Sequence, residues 1–451
     1  MNALLATLSL VLFLSIAVFV PDVGPSAVLL CLIVACAVGA VLSRNQPDGT
    51  FLVQLFVVSL LVRVVIGLVI YLSGLQAFFG GDAMTYDQQG LELWRSWQGR
   101  GMYTGTVEGA SVVWGMPYLV AGIYWAVGHN MLAVQFFNAV VGAATAPVIF
   151  LCARQIYGNL RVAQLAGGFV ALFPSLVLWS SQGLKDAPVV FLLAVAMLAT
   201  LKLGERLSVK YLLMMLCTLL GLLSLRFYIF YLVIAAIGGA FLVGMRAVTT
   251  QSLARQFAII IAVGLSLTYI GVLRTASAQF ETFGNLEAVQ RTRSDLAQSA
   301  ESGFAQDVDV STTAGAITAI PLGLIYLLFA PFPWQLANLR QSITLPEMLI
   351  WWGCFPLLVL GLWFTLRYRL RQALPILLFT TMLTMAYSIF QGNVGTAYRQ
   401  RSQILVFYFI FVAVGAVLLK ERNEDHARQA EQQRAAHRQR QASPRLPAQG
   451  G

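Results

Sequence analysis

The chain has 451 residues, 58% of them apolar and only 11% charged, with a mean hydropathy of +0.76 and a formal net charge of +10. Soluble globular proteins carry about 25% charged residues, so a soluble enzyme, a disordered chain and a coiled coil are excluded. The continuous apolar runs point to a polytopic, all-α transmembrane helical bundle; the strands of an outer-membrane barrel would alternate apolar and polar residues instead.

Taken in chain order, the apolar runs predict helices over 3–20, 25–43, 51–73, 131–152, 162–180, 187–203, 211–225, 227–245, 257–273, 347–366, 373–390 and 403–419. The first has no basic n-region and no A-x-A site, so it reads as a retained helix rather than a cleaved signal peptide. Lys and Arg are retained on the cytoplasmic side of short loops. Arg44, Arg154, Arg161, Lys202, Arg206, Lys210, Arg246, Arg255, Arg367, Arg369, Arg371 and the tail therefore mark the inside. These marks agree only if two further apolar runs, 112–128 and 314–333, do not fully cross. Both are predicted to be interfacial or re-entrant helices on the outer side, where protein covers their backbone. About twelve spans result, with both termini inside. The tail, 420–451, is basic and polar and is expected to be a frayed helix, then disordered beyond Pro444. All five cysteines lie in apolar runs without a CxxC pair and read as small core residues. With three histidines in the chain, a His-rich metal site is not expected.

Charges that are costly where they sit carry the functional information. Arg63 lies mid-span, where a charge costs ~2.5–3.5 kcal/mol on insertion scales; it must serve either a structural pairing or a site. Asp82 follows two glycines in FFGGDAMTYDQQG and starts a helix on which Tyr86, four residues on, shares its face while Asp87 turns away. An N-cap aspartate on a surface helix explains Asp82 alone; a carboxylate held at the membrane surface explains it together with the charges of the later outer turns. WSSQGLKDAPVV sets Lys185 and Asp186 at the next outer turn, either as a self-neutralising cap or as a second carboxylate and a cation on the same face. Arg399 and Arg401 in NVGTAYRQRSQ, and Arg226 in LSLRFYIF, are arginines at the outer boundary. Outward arginines need a counter-anion, a lipid headgroup or a bidentate phosphate. Outer carboxylates facing outer arginines above an apolar bundle are the chemistry expected for group transfer from a lipid-linked phosphate. Tyr103 and Trp114 join Tyr86 as aromatic candidates for sugar stacking. Trp94, Trp97, Trp334, Trp351 and Trp352 are candidate interface anchors.

From about Arg63 to Gly415 the sequence resembles the GT-C superfamily of integral-membrane glycosyltransferases, in the family-39-like group that uses polyprenyl-phosphate sugars. The resemblance is carried by GGDAMTYDQQG, MPYLVAGIYWAVG, FFNAVVGAATAPVIFLCARQIYG, LVLWSSQGLKDAPVVFLLAVAM, FAPFPWQ and NVGTAYRQRSQ. It implies Asp82 as the catalytic carboxylate and Asp186 as the supporting acid of the second outer loop. Tyr86, Asp87, Lys185, Arg226, Arg399 and Arg401 would bind substrate, the outer arginines holding the lipid phosphate. It admits a divalent cation, Mg or Mn, for which Asp82 and Asp186 would be the ligands. The implied partners are a polyprenyl-phosphate sugar donor, a glycan, lipid or protein acceptor, and membrane lipids, with no nucleic acid. The implied location is a bacterial inner membrane, with the site on the periplasmic side. The sequence departs from many relatives in having one acid, Asp82, after Gly81, with the next at Asp87. It divides into two extra N-terminal helices (1–43), a GT-C-like catalytic domain (44–419) and the tail (420–451).

Two other functions fit a bundle of this kind. An O-antigen-type polymerase or ligase acting on polyprenyl-diphosphate glycans would not depend on a first-loop aspartate. A lipid or glycan transporter would place its charges in broken helices at the midplane, whereas here, Arg63 apart, they gather at one surface.

Overall fold

A computed structural model describes residues 2–44, 48–103, 115–244, 250–269, 271–272, 279, 285–298, 302–304, 308–336 and 339–442. Among the described residues each predicted apolar run is mainly helical. In order they form α1 (Asn2–Phe19), α2 (Gly24–Ser43), α3 (Gly49–Leu72), the short α4 (Gln76–Gly80) and α5 (Asp82–Trp97), then α6 (Gly115–Val127) and α7 (Met131–Tyr157). They continue as α8 (Leu160–Leu172), α9 (Pro174–Ser180), α10 (Asp186–Glu205), α11 (Val209–Leu225), α12 (Phe227–Val243), α13 (Thr250–Tyr269) and α14 (Leu286–Gln298). The last are α15 (Thr313–Phe329), α16 (Leu339–Phe364), α17 (Leu370–Phe390), α18 (Val394–Gln400) and α19 (Ser402–Ala442).

Among the described residues six helical stretches are long and apolar enough to cross a membrane, or seven if α8 and α9 count as one bent span. One of the six is the 52-residue stretch Leu339–Phe390. At about 1.5 Å per residue it would be far longer than a ~30 Å hydrocarbon core. It is two helices: a π-helical turn, Thr365–Arg369, joins α16 to α17, and Arg369 leaves helical geometry at φ −132°, ψ 18°. The remaining predicted spans, α1, α11, α12 and α13, are shorter apolar helices. At 17 residues α15 matches α11 and α12 in length, so placement has to distinguish it. Its Gly323 abuts the Ser388 carbonyl near the end of α17, and its last carbonyls meet Trp351 and Arg401. α19 runs from the core through Ala442, so the predicted tail begins as a helix; the stretch beyond Pro444 expected to be disordered lies outside the described residues.

The bundle has two chemically distinct ends. At one, Arg154, Arg161 and Lys202 lie with the C-terminal end of α10, whose Gly204 and Glu205 carbonyls accept from Arg255. At the other, α5, the turn 181–185, the α11–α12 junction and α18 converge. The two ends of α10, Asp186 and Lys202, are ~24 Å apart at helical rise. Between them α7, α10 and α19 form the centre; every side chain from Ile404 to Val414 is buried. α16 and α19 cross backbone to backbone, because a Cβ on Gly361 would lie 1.8 Å from the Phe411 carbonyl and one on Gly415 2.1 Å from that of Leu357. Small residues permit such approach where helices pack in lipid. Trp351 is wholly buried against Tyr408 and Phe409, so it is a core residue rather than an interface anchor; Trp334 is exposed. Cys36 and Cys217, read as core residues, are exposed, while Cys31, Cys152 and Cys354 are buried.

Arg63 has a structural task. Pro174 disfavours helix at the residue before it, and Phe173 turns extended (φ −65°, ψ 126°), bending α8 and α9 by 54°. The break strands the last carbonyls of α8 in the core. Arg63 donates to those of Ala171 (2.7 Å) and Val170 (3.1 Å) and, through Nε, to Ser180 Oγ (2.7 Å). Arg63→Met is expected to leave these acceptors unsatisfied at about 1–3 kcal/mol each. The loss would be read as a lower unfolding midpoint in detergent; an unchanged midpoint would contradict the capping role.

Candidate functional site

α5 presents two faces. Gly90 lets it sit on α6, since a Cβ there would come within 2.3 Å of Val120. On that side the Asp87 carboxylate accepts from the Tyr124 hydroxyl and contacts His129 Nε2 at 3.1 Å, pinning α5 to α6. On the other side Asp82, at the first position of the helix, accepts from Arg399 Nη1 at 2.7 Å.

The second carboxylate is fixed from below. Asn138 Nδ2, in the third turn of α7, donates to the Gln182 and Leu184 carbonyls (2.7 and 2.8 Å), holding the turn that ends in Lys185 and Asp186. Asp186 is buried, and both its oxygens are engaged. Oδ1 accepts from Arg226 Nη2 at 2.7 Å, and Oδ2 accepts from Arg399 Nε at 2.6 Å with Nη2 equally near. Arg226 also donates to the Tyr228 hydroxyl (2.8 Å), which lies 3.4 Å from that of Tyr387; Tyr387 in turn donates to Gln403 (2.7 Å).

The third element is built by a loop contact. Phe304 N donates to the Gly392 carbonyl and Val394 N to that of Ser302, and the Asn393 side chain caps α18 through Gly395 N (2.8 Å). α18 then aims Arg399 between the two aspartates, its guanidinium 5.9 Å from the centre of the Trp179 ring. Burial opposes the Arg399 charge, but Asp186 and Asp82 outweigh it and hold the group above its ordinary value. Lys185 lies 5.9 Å over the Tyr86 ring. Burial, followed by the Arg226 charge, pushes its ammonium down to about 8. Burial and then the Asp82 charge push the Tyr86 hydroxyl up to about 12.

Asp82, Trp179, Lys185, Arg226 and Arg399 line a cavity of about 1010 Å³. Its charged lining is Lys185, Arg226, Arg340 and Arg399 against Asp82, and its walls include Phe78, Phe79, Leu225, Phe227 and Ile343. Drug-sized ligand pockets run to about 300–1,000 Å³, so there is room for a sugar phosphate and part of an apolar chain. The positive lining favours an anion, and Asp82 is a carboxylate reachable from the cavity, with its side chain 54% exposed.

Asp82, Tyr86, Lys185, Asp186, Arg226 and Arg399 are thus brought together. Asp87 and Arg401 are not. Asp87 belongs to the α5–α6 contact. Arg401 is fully buried, donating to the Leu328 and Ala330 carbonyls (3.0 and 3.2 Å) where α15 ends before Pro331. Tyr103 lies near Tyr118 and Glu92, away from the cavity lining, and Trp114 falls outside the described residues. Sequence reasoning missed Arg340, Trp179, Tyr228, Tyr387 and Asn138. Asn138 had a signal, an amide inside an apolar run, the criterion that singled out Arg63. Arg340, 5.0 Å over the Phe78 ring, had none.

Residues 114–271 match the family model described as dolichyl-phosphate-mannose-protein mannosyltransferase. Over that segment, about a third of its length, the chain is similar to this family. The matched segment runs from the residue before α6 to just past α13 and includes Lys185, Asp186 and Arg226. Asp82 and Arg399 lie outside it. No curated protein matches the chain. Among solved structures it is similar to the archaeal oligosaccharyltransferase AglB from Archaeoglobus fulgidus, determined with an inhibitory peptide and a dolichol-phosphate, at 13% identity and a TM-score of 0.48. That alignment covers 89% of this chain and 53% of the AglB chain, so this chain spans about half the length of the solved enzyme. It is an integral, multi-pass membrane protein.

Proposed function

We propose that the protein transfers a sugar from a polyprenyl-phosphate donor to an acceptor hydroxyl. The observation that carries this reading is the carboxylate of Asp82, tied at one oxygen to Arg399 at the wall of a large, cation-lined, partly apolar cavity. Asp82 takes the acceptor's proton through its other oxygen as the acceptor oxygen bonds to the anomeric carbon. The bond from that carbon to the phosphate oxygen breaks on the opposite face, and polyprenyl phosphate leaves with the electron pair. The product is inverted at the anomeric centre. Lys185 and Arg340, which have no carboxylate partner among the described residues, receive the phosphate, with Arg399 alongside; the apolar wall holds the first isoprene units. Within this reading residues 1–43 are two additional spans, 44–419 the catalytic unit and 420–451 a cytoplasmic tail. The site then opens on the periplasmic side, and a reporter fused after Gly451 should report the cytoplasm.

The divalent cation admitted by the resemblance does not fit the residues present. Of the two carboxylates that would ligate it, Asp186 has both oxygens occupied by guanidinium groups and Asp82 has one. Among the described residues no group of three or more His, Cys, Asp or Glu side chains is placed to hold a metal ion.

The test is transfer by purified protein in lipid vesicles from a panel of labelled donors. Sugar transfer with release of polyprenyl phosphate is expected; transfer only from polyprenyl-diphosphate glycans would replace this reading with a polymerase or ligase. A pH dependence follows from Lys185. Below about 8 its ammonium is charged and holds phosphate, and above that it is neutral. The KM for donor should therefore rise as pH passes upward through about 8, and Lys185→Arg should flatten that rise. A KM that is flat between pH 7 and 9 in the wild type would contradict it.

A further inference from the structure

The arrangement of nitrogen and oxygen atoms around Arg399 places a positive group where two carboxylates converge. Nη1 lies 2.7 Å from Asp82 Oδ2, and Nε and Nη2 each lie 2.6 Å from Asp186 Oδ2. The side chain is only 16% exposed and packs over Trp179. Two separate elements, α5 and the N-terminus of α10, are joined through this one group. We propose that the Arg399 guanidinium takes the place of a divalent cation between Asp82 and Asp186, so that transfer proceeds without a metal ion and Arg399 both orients the base and faces the leaving phosphate. The proposal rests on the reading of Asp82 as the base, but its decisive test needs no substrate.

Charge balance supports the assignment. Asp82 and Asp186 are matched by Arg399 and Arg226, and Lys185 adds a further positive charge beside them. A divalent ion entering this cluster would have to break charge-assisted hydrogen bonds from Arg399 to both carboxylates, among the stronger hydrogen bonds in proteins. It would also add two positive charges beside Lys185 and Arg340, where like charges repel. The guanidinium serves the chemistry in two ways. It fixes the Asp82 carboxylate by one oxygen, leaving Oδ1 to take a proton. It also presents a planar cation to the phosphate that leaves. Because it is covalently part of α18, whose N-terminus is capped by Asn393, no equilibrium with free metal governs the site.

The experiment is Mn²⁺ titration, followed by electron paramagnetic resonance, of the full chain in nanodiscs, with transfer assayed in parallel in EDTA and in excess Mn²⁺ or Mg²⁺. The wild type should bind no Mn²⁺ in an Asp82- or Asp186-dependent manner, and its transfer should be the same in EDTA. Arg399→Ala should lose transfer in EDTA by about 10²-fold and should bind one Mn²⁺ that Asp186→Asn in the same chain removes. Arg399→Lys keeps a cation and covers the case in which the alanine variant does not fold. A lysine cannot bridge both acids, so transfer should fall, remain EDTA-insensitive and show no Mn²⁺ site. Stoichiometric Mn²⁺ bound to the wild type and lost in Asp82→Asn overturns the proposal. So does a folded Arg399→Ala that binds none. If no donor supports transfer by the wild type, the function fails while the Mn²⁺ titration still decides this proposal.

Discussion

Asp186→Leu should destabilise the protein by about 3–5 kcal/mol and abolish transfer, because it removes an acceptor shared by one buried and one largely buried guanidinium group. Arg226 and Arg399 both donate to this carboxylate at 2.6–2.7 Å, and its side chain is 1% exposed. With the carboxylate gone, two positive charges remain buried near each other. The α10 N-terminus also loses its link to α11–α12 and α18 at once. The expected observation is a lower unfolding midpoint in detergent together with loss of donor binding. Asp186→Asn keeps one acceptor oxygen and should melt between the wild type and the leucine variant. A leucine variant that melts with the wild type would show that the ion cluster does not organise this end of the bundle.

Asp82→Asn should behave in the opposite way: stability nearly unchanged, turnover down by about 10²–10⁴-fold. The Asp82 side chain is half-exposed, and partly solvated ion pairs are worth about 0–1 kcal/mol. Asparagine retains the shape and an oxygen for Arg399 but cannot take a proton. Melting and donor affinity should therefore match the wild type while kcat falls. The two aspartates, only one guanidinium apart, separate cleanly by which quantity each substitution moves.

Much of the fold was legible because apolar runs and basic loops are each governed by one strong physical rule. The π-helical joint at Thr365–Arg369 fell where three arginines interrupt the run, and the α8–α9 bend fell at Pro174 inside a run read as one helix. What the sequence left open was the use of each arginine. All four costly ones stand out, but a charge in an apolar setting signals only that it has a partner. Arg63 and Arg401 turn out to cap helix ends stranded before Pro174 and Pro331, whereas Arg226 and Arg399 meet Asp186. The proline after each broken helix was the sign that separated the two pairs, since a buried helix end needs donors from elsewhere. Helical spacing alone turns Asp87 away from Asp82, and the structure agrees. Its partners, Tyr124 and His129, are about forty residues distant in sequence and no local pattern names them. Arg340 lies on an exposed helix start and enters the cavity only through tertiary packing.

The central claim is that Asp82 is the base in sugar transfer from a lipid monophosphate. Its most direct test is the appearance of polyprenyl phosphate from a labelled polyprenyl-phosphate sugar, followed over time in vesicles containing either wild type or Asp82→Asn, with donor binding measured in the same preparations. Release by the wild type, and loss of at least about 10²-fold in the variant with binding retained, is the predicted result. Equal release by both proteins would contradict it and remove Asp82 from the chemistry.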